Sequence, residues 1–210
     1  LSMAFYEVLK KNDPYHPVFL VAPGLDKKTI RACDLPFTDH YWDPFTGTPL
    51  SIVARLERAR AKTDKLHLPL IEMPALSLWS GAGRERTPME MDCETYLILI
   101  HGARGGVFWF GHMPRNPEGI AAWKKIVSEL NALVPIILEK SPKQSITSEQ
   151  SQAPIHMLVK EHKGATYLIA ANTLDRKMAA TFTSSALAKS GKAKVLFEGR
   201  NVTIKDNVLH

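Results

Sequence analysis

Glu72 is the one carboxylate in the apolar run 68–73, and Asp39, His40 and Tyr41 close another such run, 33–42. Trp42, Trp79 and Trp109 fall at or just after the ends of apolar runs. Indole rings stack on the apolar C–H face of a sugar, so tryptophans at the mouth of a fold suit a carbohydrate ligand. Each residue also has a structural reading. Glu72 can serve as an inward polar side chain or as the partner of an arginine, and Asp39 and Asp43 can hold a cap or turn network. One His beside one Asp falls short of the three or four convergent ligands of a metal site, so neither metal nor cofactor is implied.

Arg84 and Arg86 sit in a Gly- and Arg-rich loop, 80–87. Their planar forks suit an acidic sugar or a substrate carboxylate, although loop arginines more often stay solvated or form surface ion pairs. Gly105-Gly106 lacks the spacing and the Lys-Ser/Thr signature of a phosphate loop. His101 and Arg104 stand where a helix turns into a strand.

The elements that would position these residues follow from periodicity. Residues 3–12 read as a helix, stopped by Asp13-Pro14. Apolar runs predict strands near 18–21, 34–41, 68–73 and 106–110, separated by helices over 50–63, 88–101 and 117–138. In the last helix Ile120, Trp123, Val127, Leu130, Val134 and Ile137 recur at helical spacing as one stripe, with Trp123 read as core. Apolar strands alternating with amphipathic helices imply parallel strands with helices outside them. Residues 139–153 have a linker's composition. Beyond them the period becomes 2, over 156–160, 166–171, 177–183, 194–197 and 202–204, with turns at Lys163-Gly164, Ser190-Gly191 and Asp206-Asn207. That pattern predicts an antiparallel sandwich.

Several of these stretches together resemble a known architecture. "YEVLKKNDPYHPVFLV" (6–21) resembles the helix and fifth strand of barrel glycoside hydrolases of the broad β-galactosidase/cellulase-like superfamily. "ACDLPFTDHYW" (32–42) is similar to the sixth strand, "LPLIEMPAL" (68–76) to the seventh, and "TPMEMDCETYLILIHGARGGVFWF" (87–110) to the seventh helix and eighth strand. "ATYLIAANT" and "AKVLFEGRNVTI" are similar to the sandwich domain that often follows such barrels. The expected fold is α/β plus all-β. Residues 1–138 would form the C-terminal half of a (β/α)8 barrel, and 154–210 part of a β-sandwich.

The resemblance implies hydrolysis of O-glycosidic bonds by two carboxyls flanking the scissile bond. It makes Glu72 the nucleophile candidate, although the familiar pattern places its Glu a residue or two later, where Met73 and Pro74 stand. It gives Tyr41 the task of orienting that carboxylate and Asp39 contacts to sugar hydroxyls, with His40, Trp42, Trp79 and Trp109 completing the sugar site. The acid/base residue would follow the fourth strand, upstream of Leu1. The expectation is therefore a fragment, inactive alone, that self-associates or lacks a companion half-barrel segment. The residues leave the compartment undecided, and the resemblance points to secreted or periplasmic proteins. The rival is a non-catalytic carbohydrate-binding or structural module of the same architecture.

Composition bounds both readings. With 45% apolar residues the chain can bury a core, and no apolar run approaches the ~20 residues of a membrane span. Residues 1–138 carry 16 basic and 15 acidic side chains, whereas 139–210 carry 11 and 6. The lysines of that basic end are scattered with few aromatics, which argues for a solvated surface and against nucleic acid. Cys33 and Cys93 make neither a disulfide framework nor a metal cluster, and read as small core residues.

Overall fold

A computed structural model describes residues 3–22, 24–42, 47–75, 84–109, 116–142, 147–148, 155–184 and 187–209. The chain divides into two compact units, Leu1–Lys124 and Lys125–His210, and the division falls inside the longest helix.

The first unit runs α1 (Met3–Asn12), β1 (Phe19–Val21), β2 (Leu35–Thr38), α2 (Val53–Asp64), β3 (Ile71–Glu72), α3 (Pro88–Ile100) and β4 (Gly105–Gly106), and ends in the first residues of α4 (Pro117–Ile137). The four strands are hydrogen-bonded in chain order and all are parallel, with Phe19 opposite Leu35, Phe37 opposite Ile71 and Ile71 opposite Gly105. A 3₁₀ turn, Ile30–Ala32, lies between β1 and β2, and another, Pro49–Ile52, leads into α2. Helix α3 starts where its sequence dictates. Thr87 accepts from the Glu90 backbone N–H, Glu90 reaches back to the Thr87 N–H, and Pro88 occupies the first turn, where a missing N–H costs nothing.

The sheet has two distinct faces. Backbone bonds from Arg104 to Leu70 (2.8 Å) and from Val107 to the Glu72 carbonyl (3.0 Å) extend the β3 ladder, so residues 70–72 alternate regularly. Leu70 packs with Leu25, Ile30 and Ala59 of α2, which makes its face the helical one, and Glu72 points the same way. Ile71 shares the other face with its register partner Phe37, whose ring centroid lies 5.3 Å from that of Phe19. Phe19 is 62% exposed.

The strands are shorter than their apolar runs, and one is displaced. β2 ends at Thr38. The expected strand 106–110 pairs instead at Gly105–Gly106, and Trp109 returns to the sheet only as a parallel bridge to Ala75. A Cβ at Gly105 would lie 3.3 Å from the Ile71 Cδ1, and one at Gly106 3.4 Å from the Glu72 carbonyl oxygen. Bare backbone fits that approach better than the apolar residues that follow.

In α4 the buried stripe is Ala122, Ile126, Glu129, Leu133 and Ile136, one residue before the expected one, of which Ile137 is buried as well. Trp123 is half-buried rather than core, and Val134 is 46% exposed. Glu129 takes a place in the buried stripe because Lys125, one turn earlier, pairs with it at 3.4 Å. No described helix is long and apolar enough to cross a membrane.

Beyond α4 the described chain is β. β5 (Thr147–Ser148), β8 (Phe182–Thr183), β11 (Val208–Leu209), β10 (Arg200–Lys205) and β9 (Ser190–Val195) form a five-stranded antiparallel sheet in the order β5-β8-β11-β10-β9. β6 (Ile155–His162) and β7 (Ala165–Asn172) form a separate hairpin. Its two-residue turn, Lys163-Gly164, has φ of 49° and 78°, the handedness that matches strand twist. Asp206-Asn207 repeats that geometry between β10 and β11, at 52° and 63°. Three expectations shift here. The linker contributes β5, the run 177–183 pairs only at its end, and Ser190-Gly191 opens β9 instead of making a turn.

Candidate functional site

Glu72 ends β3 with its side chain fully buried. Its two oxygens are taken up by the end of β2. The Thr38 hydroxyl donates to Oε2, the His40 backbone N–H donates to Oε1 at 2.8 Å, and the His40 Nδ1 lies 3.2 Å from Oε2. Thr38 is the register partner of Glu72, so parallel pairing puts the two side chains together by construction. The chain leaves the ladder after Thr38, and the carboxylate supplies the partner that the His40 N–H would otherwise lack.

The rest of the Asp39–Trp42 segment gathers around this contact. Asp39 is half-buried, one of its oxygens (Oδ1) has no hydrogen-bond partner, and burial raises its pKa. Burial pushes the Tyr41 hydroxyl up to about 12, and the nearby Asp39 and Glu72 carboxylates add to the effect. Trp42 is 5% exposed and lies in a core with Ile52, Leu56, Ile98 and Ala103. A ring so placed has no face to offer a sugar, which corrects its expected role. Trp79 lies outside the described residues. Trp109 is 43% exposed beside Ala75, three residues beyond Glu72 on the neighbouring strand, and keeps the exposure that a stacking platform needs.

A second buried charge cluster joins the first. The Arg86 guanidinium carbon lies 4.9 Å from the centroid of the Trp42 ring, its Nη2 donates to the Trp42 carbonyl at 3.3 Å, and its Nε is 3.0 Å from the Glu94 Oε2. Arg86 and Glu94 are buried, with the Trp42 side chain set against the Glu94 carboxyl. Burial pushes the Glu94 carboxyl up to about 7 against the opposing pull of Arg86, and the Glu72 charge adds to the rise. Arg84, by contrast, forms a partly exposed fork with Glu90, at 2.6 and 2.7 Å.

Thr38 and Glu94 did not stand out in the sequence, and Arg86 read either as a contact to an acidic group of a substrate or as a solvated or surface-paired loop residue. The available signal was Glu94 itself, a carboxylate followed by the apolar run 97–100 in a helix that buries most of its second half. Among the described residues no group of three or more His, Cys, Asp or Glu side chains is placed to hold a metal ion. The cluster is suited to fixing the ends of β2 and β3 to α3. Its carboxylates are shielded from solvent, whereas glycoside cleavage needs two that reach the sugar.

Compared with known proteins, the chain matches no family model and no curated protein.

Proposed function

We propose that this chain is the C-terminal half of a glycoside-hydrolase-type (β/α)8 barrel followed by part of a β-sandwich domain, and that it binds carbohydrate without cleaving it on its own. The observation that carries the reading is the parallel sheet in unbroken chain order, β1-β2-β3-β4. Ligands of such barrels meet the C-terminal ends of the strands, where Asp39, Tyr41 and the exposed Trp109 stand here. Fold analogy supplies the substrate class, and the site residues supply the stacking surface.

The catalytic version of this reading makes Glu72 the nucleophile and puts its acid/base partner outside these four strands. The engagement of both Glu72 oxygens by Thr38 and His40 favours a positioning role, and with it the non-catalytic module. The test is to incubate the chain with a panel of oligosaccharides and aryl glycosides, following binding by NMR and release of the leaving group by absorbance. Binding without turnover is expected. Turnover that disappears in Glu72→Gln would overturn the positioning role and restore Glu72 as the nucleophile.

A further inference from the structure

The register of β9 and β10 puts Ser190 opposite Lys205, Lys192 opposite Thr203 and Lys194 opposite Asn201. Partners in an antiparallel pair point to the same face, so these six side chains share one, and all six are exposed. The opposite face carries Ala193, Val195, Val202 and Ile204, half-buried or buried. The sequence showed scattered lysines. The fold gathers three of them on one ribbon, each across the ladder from a neutral residue that both donates and accepts hydrogen bonds.

We propose that this ribbon face is a binding surface for an anionic polysaccharide, with the three ammonium groups taking acidic groups of the polymer and Ser190, Thr203 and Asn201 taking its hydroxyls. Same-face residues on a strand repeat at about 7 Å, which gives an extended chain a regular row of cations. No acid stands among the six positions; Asp206 follows Lys205 in the exposed β10–β11 turn, and Glu198 in the β9–β10 turn is held by Arg200 at 2.6 Å. The surrounding segment has the matching charge, 11 basic against 6 acidic residues over 139–210.

Lysines also guard sheet edges against unwanted pairing, and β9 is an edge strand. Lys205 does not fit that role, because β10 lies between β9 and β11. Nucleic acid is the other polyanion with this charge. Single strands are held by stacking bases on aromatic rings, and none of these six residues is aromatic. The inference does not depend on the barrel reading, because it rests on the second unit alone.

The test measures binding of the whole chain to polygalacturonate, to neutral dextran and to single-stranded DNA of equal charge, at low and at high salt. Polygalacturonate should bind more tightly than the DNA and than dextran, and lose affinity as salt rises. Replacing the three lysines together, Lys192→Gln, Lys194→Gln and Lys205→Gln, should weaken polygalacturonate binding roughly tenfold or more. A charge-matched variant at the exposed Lys27, Lys28 and Lys65 should leave it nearly unchanged. Three results would each overturn the proposal: no polygalacturonate binding at low salt, equal losses in the two triple variants, or tighter binding of DNA than of polygalacturonate.

Discussion

The backbone N–H of His40 donates to the Glu72 carboxylate at 2.8 Å, so the last residue of β3 is tied to the chain just past the end of β2. With the Thr38 hydroxyl on the other oxygen, Glu72 closes the gap left where β2 leaves the sheet. A buried carboxylate of this kind is costly to remove, because its donors cannot turn to water instead.

Glu72→Ala should therefore destabilise the first unit by about 2–4 kcal/mol, from unmet buried donors and a small cavity. Glu72→Gln, which keeps one acceptor oxygen, should cost about half as much. Urea denaturation of the two variants measures both. Equal, near-zero losses would mean that the contact does not hold the strand ends.

Glu94 gives stability a pH dependence of definite sign. Its carboxyl titrates at about 7 in the folded chain against an ordinary value of 4.5, so between those limits the folded state keeps a proton that the unfolded state has released. Its contribution therefore falls as pH rises from 4.5 to 7, by on the order of 3 kcal/mol in total. Glu94→Gln should remove that slope from the urea midpoint measured across this range. A slope unchanged in the variant would assign it to other groups.

Gly102 ends α3 with φ of 100°, a conformation that strains any residue with a Cβ. A Cβ there would also approach the Arg60 Cδ to 2.6 Å. Gly102→Ala should cost about 1–3 kcal/mol. Adding Arg60→Ala clears the side-chain clash and leaves the backbone strain, so most of the loss should persist in the double variant. Full recovery would identify the clash as the cause.

What the sequence revealed of this fold was what depends on local patterning. Pro88 marks the start of α3, Lys163-Gly164 marks a turn, and apolar runs mark four strands in a parallel order. Its errors arose where pairing overrides pattern. Val107 and Phe108 read as strand centre, yet the ladder forms at Gly105 and Gly106, where bare backbone can approach Ile71 and Glu72. Trp42 read as a sugar platform because it follows a strand, and the helical layer takes it into the core under Ile52 and Ile98. The Arg86–Glu94 pair spans a loop and two helical turns, and no spacing rule announces that both charges will be buried together. At the candidate site Asp39, His40, Tyr41 and Glu72 do converge, while the partners that fix them had to be seen in three dimensions.

The central claim, that the strand ends of the first unit present a carbohydrate-binding surface anchored on Trp109, is tested most directly by titrating oligosaccharides into the chain and into Trp109→Ala. The indole ¹⁵N–¹H resonance of Trp109 is the reporter. Saturable shifts of that resonance, with affinity lost roughly tenfold or more in Trp109→Ala while the fold is kept, are the predicted result, since one buried stacking ring is worth about 1–2 kcal/mol. A well-folded chain in which no sugar of the panel moves the Trp109 resonance would contradict the account.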